Sequence, residues 1–370
     1  MGAFGQDPAG ELMDLTLTED QRTIQATARE LLSARAAVAG ARAVAGDPAG
    51  YSTQVWKEMA ELGWPGLALP EEYGGVGLGF LELCLVVEEL GRARVPSPFL
   101  PTVACCGMPI LRHGTDTQRS EWLGAIARGQ VFTYVTDTDT SAQIAAERSA
   151  DGLVLNGTAL FVPYADAADR LVVAARDGDD TIAVVVDTAS PGLDLQRLDV
   201  VGDPANRVRF EHVSVPGDQV LGAGAAEAIG AYGIAATCAE MVGGAQGVLD
   251  MTVAYARERE QFGKPIGAFQ AVQHHCANMA IDVLSARLAA YEAIWRLGSG
   301  LDADMELAMA KSWVSEAYLR VCALGHQVHG AIGFTAEHGL HHYSEHAFAS
   351  ALAFGDADRH TEQVARKLGI

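Results

Sequence analysis

The stretch REREQFGKPIGAFQAVQHH, from Arg257 to His275, places residues with binding chemistry between two predicted helices. A plain helix connection would use Gly, Asn or Ser. This one instead combines arginine, glutamine and phenylalanine at Arg259, Gln261, Phe262 and Gln270. A planar, anionic ligand explains that choice, and a surface salt bridge beside an ordinary turn is the alternative.

The composition limits the classes of partner. The chain has 370 residues, 49% of them hydrophobic, which is enough for two or three domains with a buried core. Its formal net charge of −21 repels the phosphates of nucleic acid and of anionic lipid, so neither is an expected partner. The N-terminal residues MGAFGQDPAGELMD lack the apolar region of a secretion signal, and no apolar run reaches the roughly 18 residues that span a bilayer. We therefore expect a cytoplasmic protein.

Residue types that bind metals are present, but they are not spaced as ligands. No C-x-x-C pair occurs, so we predict six reduced thiols, mostly buried: Cys84, Cys105, Cys106, Cys238, Cys276 and Cys322. The histidines of His274–His275 and His341–His342 are adjacent, and adjacent residues on a helix point in different directions. No H-E-x-x-H is present, and the sequence therefore predicts no metal site.

Three segments that differ in composition and in the spacing of their apolar residues predict an α+β fold. Residues 1–130 are predicted to form an N-terminal helical domain, with a capping box in LTEDQ from Thr18 to Gln21. The glycine-rich EEYGGVGLG within it lacks the third glycine of G-x-G-x-x-G and is predicted to be a loop. Residues 131–222 carry short β-rich runs and predict a middle antiparallel β domain, a barrel or a sandwich.

Local signals refine the last two domains. In the middle domain, Asn156–Gly157 is typical of a hairpin turn, and a break in alternation near Glu211 suggests a bulge. Residues 223–370 return to helical spacing and predict a C-terminal four-helix bundle. Its long helix is marked by an apolar stripe over six turns, formed by Val272, Cys276, Met279, Val283, Ala286, Ala290 and Ile294.

The order helix–β–helix, with R-x-Q-F-G-x-P-I from Arg259 to Ile266, resembles the acyl-CoA dehydrogenase family. The stretches FQAVQ, QVHGAIGF, LGWPGLALPEEYGGVG and VVEELGR fit it too, so the resemblance covers nearly the whole chain. It implies FAD held between subunits and α,β-dehydrogenation of an acyl-CoA thioester. It also implies that electrons pass on to an electron-transfer flavoprotein.

The resemblance assigns cofactor roles to individual residues. Arg259 should pair with the FAD pyrophosphate, because a guanidinium donates two charge-assisted hydrogen bonds to phosphate oxygens. Phe262 should pack against the adenine, and Gly330 should let the backbone approach the nucleotide. The predicted cofactor-binding residues are Arg259, Gln261, Phe262, Gln270, Gln327, Gly330, Thr136 and Thr138, with Ser141 as a further hydroxyl.

The family's carboxylate base is missing where the resemblance places it. That base takes a proton from the carbon next to the thioester, in a dry pocket. The residue at the matching spacing after Phe334 is Phe354, and the glycine of the same motif is matched by Gly355. A second family position, on the helix before Gly-Gly, is occupied by Thr237.

Two acidic residues near these positions are candidate substitutes for the catalytic base. Glu240 lies one helical turn after Thr237, and Asp356 lies two residues after Phe354. Each has a structural alternative: Glu240 as a buried ion pair, and Asp356 as the N-cap of the last helix.

Further departures lie on the flavin and substrate side. Val162–Pro163 replaces the usual Ile-Thr beside the flavin, and proline donates no backbone hydrogen bond. Glu345 stands where an arginine is usual. The stretch GFTAEHGLHHY resembles actinobacterial dehydrogenases for steroid-chain thioesters, in which two different subunits combine and one brings the base.

The sequence therefore predicts one subunit of an FAD-dependent acyl-CoA dehydrogenase. It would assemble as a homo-oligomer or with a second, similar subunit, for example as α2β2. A stand-alone enzyme that uses Glu240 or Asp356 is one alternative. The other is a structural or regulatory homologue that has lost catalysis.

Overall fold

The computed structural model describes residues 16–44, 46–136, 142–149 and 152–370. Helices form the first part of the chain: α1 (Glu19–Ala39), α2 (Ala41–Val44), α3 (Thr53–Glu61), α4 (Phe80–Ala93), α5 (Met108–His113), α6 (Asp116–Gln118) and α7 (Gly124–Ala127). The capping box is confirmed, because Thr18 Oγ1 accepts from Gln21 N (3.2 Å) and Gln21 Oε1 accepts from Thr18 N (2.9 Å). The glycine-rich stretch between α3 and α4 is a loop that begins with a 3-10 turn at Glu71–Tyr73, as predicted.

A seven-stranded sheet forms the middle of the chain: β1 (Phe132–Val135), β2 (Ala142–Ser149), β3 (Gly152–Pro163), β4 (Arg170–Asp177), β5 (Asp180–Asp187), β6 (Leu193–Arg197) and β7 (Ala205–Pro216). The strand order is β1-β4-β2-β3-β7-β6, and β5 pairs with β4. The predicted β domain is confirmed, but its sheet is mixed. β1 and β2 both run parallel to β4, whereas the other pairings are antiparallel.

One turn signal in the middle domain was misleading. Asn156–Gly157 does not form a hairpin turn, because both residues lie inside β3. They face a register shift between β3 and β7, at which Asn156 Oδ1 accepts from His212 N (2.9 Å). The extra residue is on β7 at 211–212, where His212 has a φ of 54°, so the predicted bulge is confirmed.

Helices return after the sheet: α8 (Ala225–Glu258), α9 (Gln270–Gly298), α10 (Asp304–His329), α11 (Leu340–Leu352) and α12 (Ala357–Leu368), with a short hairpin of β8 (Glu260–Gln261) and β9 (Lys264–Pro265) between α8 and α9. The apolar stripe lies on α9 as predicted, and its members from Met279 to Ile294 are buried. The first and last helical segments share one apolar core, which one face of the sheet joins. The other face of the sheet has a core of its own.

Close backbone contact joins the two helical parts. A Cβ added to Gly243 on α8 would lie 1.8 Å from the carbonyl oxygen of Glu88 on α4, so only glycine allows this packing. Five of the six cysteines are buried, Cys276 is half-buried, and all six are free thiols. Among the described residues, none of the helices has the length and apolar character needed to cross a bilayer.

Candidate functional site

The β8–β9 hairpin presents a strained aromatic residue to solvent. Phe262 and Gly263 form its two-residue turn, with φ angles of 55° and 75°, as a type I′ turn requires. Phenylalanine rarely adopts positive φ, and such strain is of order 1–3 kcal/mol. The Phe262 side chain is nevertheless 93% exposed, and its ring makes an edge contact with Phe269 (6.0 Å between ring centroids). A strained and uncovered ring is suited to contact with a ligand or a partner.

Polar residues predicted to bind the cofactor surround this turn. Arg259 caps the end of α8, is exposed, and has no acidic partner among the residues that the structure describes. Gln261 is exposed and its amide donates to the carbonyl of Glu260 (2.7 Å). Gln270 is exposed at the first turn of α9. These residues therefore lie on one uncovered surface.

The end of α10 lies beside the end of α8. The ring of His329, the last residue of α10, stacks on Tyr255 of α8 (4.4 Å, 20° between planes). Gln327 and Gly330 are exposed there, and Gly330 has a φ of 64°, which favours glycine. The structure thus brings together the two motifs that the sequence assigned to the nucleotide. We call the exposed residues Arg259, Phe262, Gln327 and Gly330 the nucleotide surface.

This surface fits a ligand with a diphosphate and flat rings, as FAD has. Arg259 offers a guanidinium that no described carboxylate pairs with, and Phe262 offers an exposed ring. Both ring nitrogens of His329 are buried without a hydrogen-bond partner in the described structure. His329 stacks on Tyr255, one helical turn before Arg259, and an orphaned buried polar group at that place is suited to a site that a polar ligand completes.

A second region contains the positions at which the family's base was sought. The Phe354 ring is 5% exposed and stacks on Tyr134 of β1 (5.2 Å, 18°). It also lies against Gly233 of α8, where an added Cβ would be 2.2 Å from the Phe354 ring. Thr237 is one turn further along α8 and is buried. The two candidate base positions therefore face the same space, and neither residue there can ionise near neutral pH.

Several hydrogen bonds hold Phe354 in place, with a φ of 59°. Its carbonyl oxygen accepts from Nε2 of His360 (3.0 Å). The buried ammonium of Lys311 donates to the carbonyls of Ala351 (2.8 Å) and Gly355 (3.0 Å) on either side. Burial lowers the pKa of Lys311 to about 8. The ring is thus fixed by packing and by its backbone.

The two substitute acids have structural partners. Glu240 lies 3.2 Å from Nε2 of His346, in agreement with an ion-pair role. Asp356 accepts a hydrogen bond from Arg359 N (2.9 Å) as the N-cap of α12. Their catalytic roles stay predictions, with these structural roles established beside them.

Near Glu240, three parts of the fold meet in a polar cluster. Arg94 at the end of α4 donates to Asp203 (2.6 Å), which precedes β7, and also to the carbonyl of His342 on α11 (3.2 Å). Burial alone would raise the pKa of Asp203, but Arg94 and His346 hold it below its usual value. These contacts fix the sheet against both helical parts.

The flavin-side residues are only partly described. Thr138 and Ser141 lie outside the described residues, while Thr136 follows β1 directly. The carbonyl of Pro163 accepts from Thr133 Oγ1 (2.6 Å), so the end of β3 is held beside β1. Glu345 lies 3.3 Å from His342 Nδ1.

Sequence reasoning missed three residues of these two regions: Tyr134, Phe161 and His329. Phe161, immediately before Val162–Pro163, is 59% exposed with a φ of 58°. Its only sequence signal is an aromatic residue where the alternation of β3 breaks. Tyr134 and His329 give no sequence signal, because their roles depend on contacts with distant residues.

Comparison with known proteins identifies the family. The model for the acyl-CoA dehydrogenase N-terminal domain matches residues 18–130, and the model for the C-terminal domain matches residues 224–369. The probable acyl-CoA dehydrogenase YngJ of Bacillus subtilis (strain 168) is 30% identical and covers 96% of this chain and 100% of its own.

Solved structures agree. The ChsE4–ChsE5 complex from Mycobacterium tuberculosis contains a chain that superposes with a TM-score of 0.91 at 28% identity, over 96% of this chain and 99% of that one. PigA, solved with FAD and proline, superposes with a TM-score of 0.85 at 25% identity, over 96% of this chain and 99% of that one. The chain therefore belongs to the acyl-CoA dehydrogenase family, whose members are FAD-dependent oxidoreductases that act on CH–CH bonds.

Proposed function

We propose that this chain is a subunit of an oligomeric acyl-CoA dehydrogenase that helps to bind FAD but contributes no catalytic base. The reaction of the assembly is α,β-dehydrogenation of an acyl-CoA thioester, in the cytoplasm. The observation that carries the proposal is the Phe354–Gly233–Tyr134 packing, which fills the space shared by both base positions.

The chemistry explains why this observation matters. The reaction removes a proton from the carbon next to the thioester and a hydride from the following carbon. Bound FAD supplies the hydride acceptor. The proton needs a carboxylate within hydrogen-bond reach, and a benzyl ring or a hydroxyl at Phe354 and Thr237 cannot take it. A second chain must then bring the base, and an electron-transfer flavoprotein reoxidises the flavin.

Two features support assembly with a similar but different subunit. The nucleotide surface is exposed and retains its predicted side chains, so a partner has a flavin site to complete. The neighbour with the TM-score of 0.91 is a chain of a complex, ChsE4–ChsE5. A steroid-chain thioester is the substrate class favoured by the stretch GFTAEHGLHHY, which resembles dehydrogenases for such thioesters.

Co-expression with a second acyl-CoA dehydrogenase-like chain, ideally one from a neighbouring gene, tests the proposal. The complex should be yellow and should bleach anaerobically on addition of acyl-CoA. Replacing the partner's catalytic glutamate by glutamine should abolish bleaching. The variants Glu240→Gln and Asp356→Asn in this chain should leave it unchanged.

The other two hypotheses give different results. If the chain alone bleaches with acyl-CoA, and Glu240→Gln or Asp356→Asn removes that activity, the chain is a stand-alone enzyme and the subunit proposal is wrong. The sealed space at Phe354 also favours a homologue without catalysis. A chain that stays colourless, alone and when co-expressed with each candidate partner, would indicate that non-catalytic role.

A further inference from the structure

The end of α10 holds a cluster of three histidines, His326, His329 and His338, that the proposed reaction does not use. His329 is 4% exposed, and neither of its ring nitrogens has a partner among the described residues. A buried polar group without a hydrogen bond costs about 1–3 kcal/mol. Native structures rarely keep such a group without a hydrogen-bond partner, which can come from a ligand.

Aromatic contacts hold the His329 ring in this position. It stacks on Tyr255 of α8, and the His338 ring meets its edge (4.7 Å between centroids). His326, one turn earlier on α10, stacks on Phe334 (4.4 Å), and its Nδ1 is also buried without a partner. His326 Nε2 is hydrogen-bonded to Ser344 Oγ (2.8 Å), and His338 Nδ1 accepts from Leu340 N (3.3 Å). His329 is therefore the member of the cluster whose ring lacks any hydrogen bond among the described residues.

His329 connects the cluster to the nucleotide surface. His329 immediately precedes Gly330, and Tyr255 lies one turn before Arg259, whose amide donates to the Tyr255 carbonyl (2.8 Å). The stacked pair of His329 and Tyr255 thus joins the two helix ends that carry the surface. A ligand bound across these ends would contact residues next to the unsatisfied imidazole.

Among the described residues, the groups that face the His329 ring are Tyr255 from α8, His326 from α10, and His338 from the turn before α11. Burial, followed by repulsion from His338 and His326, lowers the pKa of His329 to about 4. No carboxylate is among the described groups that act on it. His329 is consequently neutral at pH 7 until an anion supplies a counter-charge.

We propose that His329 is a positioning residue for the diphosphate of the cofactor, and that it takes up one proton from solvent when a dinucleotide binds across the ends of α8 and α10. This inference rests on the proposed function, since it concerns the same FAD site. It adds a residue and a proton linkage to that site.

The sign of the linkage follows from the charges. The anion favours the imidazolium, so the pKa of His329 is higher in the complex than in the free protein. Between those two pKa values the complex holds one more proton, and affinity rises as pH falls. Each pH unit within that window changes the dissociation constant by up to about tenfold.

Calorimetric titration with FAD from pH 8 to about 5.5 measures this linkage without any turnover. The diphosphate of FAD is a diester that does not titrate in this pH range. Any proton taken up on binding must therefore be bound by the protein. Repeating the titration in buffers with different ionisation enthalpies counts the protons taken up. The oligomer, with its partner if one is required for yellow protein, is freed of bound FAD before the titration.

The variants separate charge from packing. His329→Phe keeps the ring stack and removes the titrating group, and His329→Gln keeps a hydrogen-bonding side chain without the charge. His212→Asn is the matched control, because His212 is exposed on β7 and asparagine tolerates its positive φ. Thermal unfolding of each variant verifies that it is folded.

The wild type and His212→Asn should bind FAD more tightly as pH falls and take up a proton, and both His329 variants should lose this dependence. Parallel pH profiles for wild type and His329→Phe would overturn the inference while the proposed function stands. If wild-type assemblies bind no FAD at any pH, both fail.

Discussion

Gly233→Ala tests the packing that seals the space at Phe354. The added Cβ would lie 2.2, 2.5 and 2.9 Å from three atoms of the Phe354 ring, so the ring or α8 must move. Overpacking of this kind costs about 1–3 kcal/mol, while alanine in place of glycine within a helix gains about 1 kcal/mol. The net change in the free energy of unfolding is therefore a destabilisation of up to about 2 kcal/mol.

A double-mutant cycle isolates the contact. In a Phe354→Ala background the ring is absent, so Gly233→Ala should instead stabilise by up to about 1 kcal/mol. The coupling energy between the two sites should then be about 1–3 kcal/mol, measured by chemical unfolding of all four proteins. Gly298→Ala is the control, because its Cβ meets only the Cβ of Phe80, at 3.6 Å.

If Gly233→Ala changes stability by the same amount with and without the Phe354 ring, the two residues do not share the space. Phe354 would then not seal the base position, and the proposal of a subunit without a base would lose its main support.

Three further predictions concern single residues. The pKa of Lys311 in the fold is about 8, below its ordinary 10.5, so the unfolded chain binds more protons than the fold between these pH values. The free energy of unfolding of the wild type should therefore rise with pH in this window, and Lys311→Met should remove that rise. Urea unfolding at several pH values measures this slope, up to about 1.4 kcal/mol per pH unit, and an unchanged slope in the variant contradicts it. Arg259→Met should weaken FAD binding by roughly tenfold to a hundredfold, as expected for the loss of charge-assisted hydrogen bonds. Phe262→Ala should weaken FAD binding without lowering the melting temperature. Tight FAD binding by both variants would contradict the assignment of the nucleotide surface. Asp356→Ala should cost about 1 kcal/mol through loss of the N-cap, whereas Asp356→Ser should keep it; equal melting temperatures for the two variants would show that the cap is not important.

Local chemistry made much of the fold predictable. The capping box at Thr18, the stripe on α9 and the bulge near Glu211 each depend on neighbouring residues along one helix or on the alternation of one strand. Asn156–Gly157 misled, because the same dipeptide fits a turn or a bulge, and only the pairing of β3 with β7 selects between them. The parallel pairings of β4 were also invisible, since partners distant in sequence determine strand direction.

The candidate site divides in the same way. By itself, the sequence determined which residue types stand on the nucleotide surface and that a carboxylate is missing at Phe354 and Thr237, because motif spacing is a property of the chain. Only the tertiary structure decided that Phe354 is locked between Gly233 and Tyr134, and that His329 is buried against Tyr255 without a hydrogen bond to any described residue. Those facts depend on distances between residues far apart in sequence, which the packing of the helices and the sheet determines and no local pattern encodes.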